Sequence, residues 1–213
     1  MRIPGTKAQT AIDPLYDASG TITSGSAPQL VRPMVPSCSH FIFQNLSSTA
    51  TMYLDFGSAR ATAALTSGVI SSITVTNGGF GFTYPPIVRF SGGGYGQNTK
   101  NLGLNQPGGD GPNSAVKAGR GAKAHAVLTA GVVTSIVIDD PGAGYAIAPY
   151  VFLLNTTDDP YGCASPQTSS TIGGAIQVGA GQSYYVNGTV CPTDPVAVFS
   201  STASAPYTFK WMV

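Results

Sequence analysis

Charge is what this chain has least of. Its 213 residues include ten Lys or Arg and nine Asp or Glu, 9% in all, against roughly a quarter in ordinary soluble domains. The net charge of +1 sets up no long-range field that would gather nucleic acid or anionic lipid. The basic residues are also scattered singly, so no nucleic-acid partner is expected. No stretch approaches the roughly 18 apolar residues of a membrane span, and no membrane partner is expected either. The first residues, Met1-Arg-Ile-Pro-Gly-Thr-Lys7, lack the apolar core of a signal peptide, which predicts synthesis and folding in a cytoplasm. There are three cysteines, Cys38, Cys163 and Cys191. They lack the close pairs of a zinc site, and in reducing surroundings they are expected to be free thiols. A surface this poor in charge forgoes the usual source of monomer solubility. It suits a chain that turns much of its surface toward other protein.

What is present is β-forming sequence cut by turns. Valine, isoleucine, threonine, tyrosine and phenylalanine alternate with 27 glycines and 16 prolines, without a collagen-like period, which predicts an all-β fold. The clearest pattern is a duplication. Gly68-Val-Ile-Ser-Ser-Ile-Thr-Val returns 63 positions later as Gly131-Val-Val-Thr-Ser-Ile-Val-Ile. Counting outward from these, the copies run over about 59–90 and 122–153. Ala59, Ala61 and Ala63 match Ala122, Ala124 and Ala126, each trio lining one face of a strand. Arg60 and Lys123 are expected to point the other way, to solvent. Asn77-Gly-Gly79 and Pro141-Gly142 are turn signals, with Phe82 and Tyr145 expected to pack over the turns. Pro86 and Pro149 hold an extended entry to the last strand.

Residues 1–36, with five prolines and no sustained period, read as an extended arm with at most a short strand near Gly20-Thr-Ile-Thr23. Strands follow at His40–Asn45 and Thr51–Phe56. After the repeats come Ala175–Val178, Ser183–Val190 with a hairpin signal at Asn187-Gly188, Val196–Phe199 and Tyr207–Trp211. Glycine-rich loops occupy 91–121 and 155–170. Neither flank alone has strands enough to close a core. The predicted organisation is therefore an arm (1–36), a discontinuous jelly-roll-like β-sandwich (37–65 with 170–213) and an inserted β repeat domain (66–169).

Signals for chemistry are thin. His40 and His125 each sit beside apolar strand residues, and His125 is Thr62 in the other copy. Ser114-Ala-Val-Lys117 has the spacing of a serine–lysine pair, but that chemistry needs a helical turn and glycines flank the segment. Asp139-Asp140 and Asp158-Asp159 lack the further oxygens that calcium takes, and read as solvated turn residues. Gly108-Gly-Asp-Gly111 has no strand–helix context for a phosphate cradle. The sequons at Asn45, Asn155 and Asn187 mean little without a secretory route. No catalytic residue, metal ligand or cofactor site is expected, and the chain reads as a non-enzyme.

Two resemblances add to this reading. The repeat, Gly-Val-Val-Thr-Ser-Ile-Val-Ile followed by Gly144-Tyr and a proline, resembles a module of bacteriophage structural proteins found in tails, baseplates, fibres and heads. The flanks resemble a small β-sandwich family of tailed-phage virions, through Phe43-Gln-Asn-Leu-Ser47, Met52-Tyr-Leu-Asp-Phe-Gly-Ser58, Ile176-Gln-Val-Gly-Ala-Gly181, Pro192-Thr-Asp-Pro-Val-Ala-Val198 and Tyr207-Thr-Phe-Lys210. In those relatives the turn after the second strand is short, whereas here the repeats occupy it. The resemblances imply a capsid decoration (cement) protein on the virion surface. Its partners would be the major capsid protein and further copies of itself, with threefold clusters the simplest arrangement. The second implied role is a tail, baseplate or fibre component whose repeat domain meets the host.

Overall fold

A computed structural model describes residues 15–93, 121–166, 175–187 and 191–213. Among these the protein is all β, built from antiparallel sheets with no helix. Residues 94–120 of the 91–121 loop, with the Ser114–Lys117 and Gly108–Gly111 segments, and Gly188 of the Asn187-Gly188 turn lie outside the described residues.

Two sheets form a sandwich. Sheet A has the order β1 (Leu15–Asp17), β15 (Pro206–Met212), β4 (His40–Asn45), β13 (Ser183–Asn187), with β2 (Gly20–Thr21) also pairing β15. Sheet B has the order β12 (Ile176–Val178), β5 (Met52–Phe56), β14 (Val196–Phe199), β3 (Gln29–Arg32). Alternation decides which side chains meet between them. Phe41, Phe43 and Phe209 project from sheet A, and Met52, Leu54, Val196 and Val198 from sheet B, all solvent-free. Burying side chains of this size stabilises by about 1.5–3 kcal/mol each, so this aromatic–aliphatic layer is the main core. Asn45 stitches one corner. Its buried amide nitrogen faces the carbonyls of Ala50, Val178 and Gly179 at 2.8–3.0 Å, while its oxygen accepts from Ser47 N–H.

Residues 15–36, read from sequence as part of an arm, supply β1, β2 and β3. The proline spacing hid strands of two to four residues, too short to show a period. Ile22 and Val31 are buried in the sandwich core. Sandwich pairing also stops at Phe56, because Arg60–Thr66 is the first strand of the central region.

That region contains β6 (Arg60–Thr66), β7 (Val69–Asn77), β8 (Ile87–Ser91), β9 (Lys123–Thr129), β10 (Val132–Asp140) and β11 (Tyr150–Leu154) around a second, smaller core that includes Phe82, Val133, Ile136 and Leu153. Each repeat gives a hairpin and a third strand, and the third strand leaves its own hairpin. β11 of the second copy pairs with β6 and with β8 of the first. The β8–β11 register is symmetric about Arg89 opposite Phe152, residues themselves 63 apart. Bonds between the copies come in matching pairs. Tyr145 N–H donates to Gly68 O and Phe82 N–H to Gly131 O; Ile70 N–H donates to Pro141 O and Val133 N–H to Gly78 O, all at 2.9–3.1 Å. Positive φ recurs at the same offset, 77° at Gly68 and Gly131, 65° at Gly79 and Gly142. An approximate two-fold axis therefore relates the copies.

Sheet membership departs from that symmetry. β7-β6-β11-β8 is one sheet, and β9-β10 is a separate hairpin beside β8. The missing ladder, the counterpart of β6–β11, would set Arg89 opposite Lys123. Like charges directly opposite destabilise a pair. In the ladder that does form, Arg60 stands opposite uncharged Phe152.

The cysteines correct the expectation of three free thiols. Val35 N–H donates to Thr193 O at 2.9 Å, which lays the β3–β4 connection along the approach to β14. Cys38 and Cys191 are thereby brought to 5.6 Å between Cα atoms and form a disulfide. Cys163 remains free and buried. Thiol titration of denatured, unreduced protein should find one reactive group and, after reduction, three. Reduction should lower unfolding stability by about 3–5 kcal/mol in a denaturant titration, the size expected for closing so long a loop.

Candidate functional site

The central region sits against the outer side of sheet B. Asp55 and Ala197, paired on that side, are solvent-free. The strand of Val196, Ala197 and Val198 is thus buried on both faces. Arg60, the first residue of β6, donates from Nη1 to Asp55 Oδ2 at 2.9 Å and from Nη2 to Asp55 Oδ1 and the Phe56 carbonyl. Arg60, expected to point to solvent, remains 36% exposed along its side chain while its guanidinium pairs with Asp55, because a carboxylate in the position of Asp55 needs a cation. Ala164 N–H donates to Gly57 O at 2.8 Å, and Met34 N–H to Pro160 O at 2.8 Å. Cys163 lies in this junction, antiparallel to Phe80. Burial, reinforced by the Asp55 carboxylate, pushes its thiol up, so it is no thiolate nucleophile at neutral pH.

With sheet B covered, the open face of the sandwich is the outer side of sheet A. The registers set three rows across it: Leu15–Met212–His40–Asn187, Asp17–Lys210–Ile42–Tyr185, and Thr208–Gln44–Ser183. Lys210 Nζ lies 3.5 Å from Asp17 Oδ2 at the β1 end, and two hydrogen bonds from Ser19 hold the Asp17 carboxyl below its usual range. Apart from that pair and His40 the face carries no titratable group except the Tyr185 phenol. Ile42 is 41% exposed and Tyr185 67%. A second apolar row crosses the central region. Tyr150, Phe152 and Leu154 of β11 and Ile87 of β8 are exposed, Tyr150 at 74%, with Arg89 opposite Phe152.

The residues weighed for chemistry do not converge. His40 lies on sheet A with Ser39 Oγ 3.4 Å from its Nδ1. His125 Nδ1 meets Asp139 at 2.8 and 3.0 Å on the β9–β10 hairpin, both exposed. Asp159 is buried, and its Oδ2 accepts from Thr83 and Tyr84 N–H at 2.7 and 2.8 Å; it tethers the turn of the first repeat. Asp158 is exposed. Among the described residues no three His, Cys, Asp or Glu side chains come together as metal ligands would.

Three residues with defined roles escaped the sequence reading. Arg32 is fully buried, donating to the carbonyls of Pro192 and Asp194 at 2.7 and 2.6 Å and lying over the Phe41 ring. Burial lowers its guanidinium to about 10. Nothing in Val31-Arg-Pro33 marks it. Asp55 could be suspected only as a charge inside an apolar strand, and Asn45 only as a strand-ending amide.

Compared with protein-family models, curated proteins and solved structures, the chain finds a match in none of the three.

The junction gives a prediction. Arg60→Met should destabilise the protein by about 3–5 kcal/mol, since it strands the buried Asp55 charge. Adding Asp55→Leu should restore most of that loss, measured by chemical denaturation of both variants.

Proposed function

We propose that this chain is a non-enzymatic structural protein of a bacteriophage virion, a capsid decoration protein that lies on the outer face of the head shell and stabilises it. The observation that carries the reading is the layer order. Among the described residues sheet A has an open and nearly uncharged outer face, sheet B lies behind it, and the central region is on the side of sheet B away from that face. Such a face suits a shell surface, where burial of apolar area drives attachment. The mechanism is physical, with sheet A docking on the major capsid protein and copies of the chain clamping neighbouring subunits against internal pressure. The resemblance of Phe43–Ser47, Met52–Ser58 and Pro192–Val198 to virion sandwiches supports the same reading.

The apolar row of Tyr150, Phe152, Leu154 and Ile87 favours one alternative, a tail, baseplate or fibre component that meets the host surface through its repeats.

Mixing the purified chain with empty heads of the phage that encodes it, then pelleting the heads, separates the two. Ile42→Glu should weaken co-sedimentation at least tenfold, about 1.4 kcal/mol, while Tyr150→Asp leaves it unchanged. The reverse pattern, or no binding at all, removes the decoration reading.

A further inference from the structure

Exposed strand edges present unpaired N–H and C=O groups, and natural sheets blunt them with shortness, charge, proline or bulges. Among the described residues the sandwich has four edges, and three of them are blunted. β1 has three residues, one of them Asp17. β3 lies between Pro28 and Pro33, and its ladder with β14 is bulged at Val196–Ala197. β12 has three residues. β13 has none of these protections. Its five residues, Ser183-Tyr-Tyr-Val-Asn187, carry no formal charge and no proline, and pair with β4 without a register shift.

Ladder parity fixes which backbone groups of β13 are free to pair. Asn45 N–H donates to Gln182 O at 2.9 Å, so Gln182, Tyr184 and Val186 direct their backbone toward β4. Ser183, Tyr185 and Asn187 then direct theirs outward. About Tyr185 the strand carries Tyr184 and Val186 on either side, with the small polar residues Ser183 and Asn187 at its ends.

The geometry points to a second copy of the chain as the occupant of this edge, with β13 antiparallel to β13 about a two-fold axis at Tyr185. Tyr185 then stands opposite its own mate in a hydrogen-bonded pair, Tyr184 opposite Val186, and Ser183 opposite Asn187. These aromatic, aromatic–β-branched and polar pairs each stabilise a ladder, and no like charges meet. The axis must fall on a residue whose backbone points outward, and Tyr185 is the central one. A groove of about 580 Å³ runs along this sandwich edge, lined by Phe56, Ile176 and Pro192 and by β13 itself from Tyr184 to Asn187. The incoming strand closes it with the same apolar side chains. The five-stranded sheets of the two copies join into one ten-stranded sheet, and their outer faces become continuous. This pairing is two-fold, in contrast to the threefold cluster that the virion resemblance suggests, and it does not depend on the capsid reading.

Sedimentation velocity of the full chain at micromolar concentration should give the mass of two copies. Tyr185→Lys sets two ammonium groups against each other at an exposed position, and should give a folded monomer by circular dichroism and sedimentation. Tyr185→Cys should form a covalent dimer on mild oxidation, because Cα atoms of a hydrogen-bonded antiparallel pair stand about 5.5 Å apart, within disulfide reach. A wild-type monomer whose Tyr185→Cys variant does not cross-link overturns the proposal. So does a dimer that survives Tyr185→Lys while Tyr185→Cys stays uncross-linked, or a monomer that pairs β13 only with a different protein. No capsid enters the assay, so loss of this pairing leaves the Ile42 face to be judged by the co-sedimentation experiment alone.

Discussion

The arrangement depends on one strand that has no exposed residue among its first three. Val196, Ala197 and Val198 are all solvent-free. An antiparallel strand in a two-layer sandwich normally shows one face to water, so burial on both sides requires a third layer. Sheet A covers one face of β14, and the start of β6 with the stretch around Cys163 covers the other. The covering brings a cost, because Asp55 on the neighbouring strand loses its water. Arg60 offsets it and in doing so fixes where the central region begins. That sheet A alone keeps an open face follows from the same constraint.

The repeat pair solves a separate problem. A hairpin and one further strand cannot close a core, and small units below a few tens of residues rarely stand alone. Here the second copy lends its third strand, β11, to the sheet of the first, where it pairs with the first copy's own third strand, β8, with Arg89 and Phe152 at the crossing point. The region is consequently one folded body in which neither repeat is complete. The turns carry the symmetry faithfully, since positive φ and reciprocal backbone bonds fix them. The sheets carry it loosely, since side chains at the pairing positions differ in charge.

The all-β class was legible in the alternation of Thr51–Phe56 and in the glycine-bounded repeats, because period and turn chemistry are local. The strand His40–Asn45 was legible for the same reason. What escaped was set by contacts distant in sequence. β1, β2 and β3 are too short to declare a period, and exist because β15 and β14 offer them partners. Arg32 has a basic side chain in an apolar stretch, and only the carbonyls of Pro192 and Asp194 explain it. Cys38 and Cys191 were read from compartment, whereas the chain path brings them together. The candidate site was the least legible part. A nearly uncharged face has no motif, and Ile42 and Tyr185 become neighbours only through the β4–β13 register.

The Cys38–Cys191 bond also has a mechanical meaning. The two residues stand 153 apart in sequence, and the whole repeat region lies inside the loop they close. Tension applied at the two ends of the chain passes from Cys38 directly to Cys191 and bypasses everything between. Stretching can then release only the outer segments, and about 500 Å of extended contour stays locked away. The repeats experience pulling only if something grips them from outside.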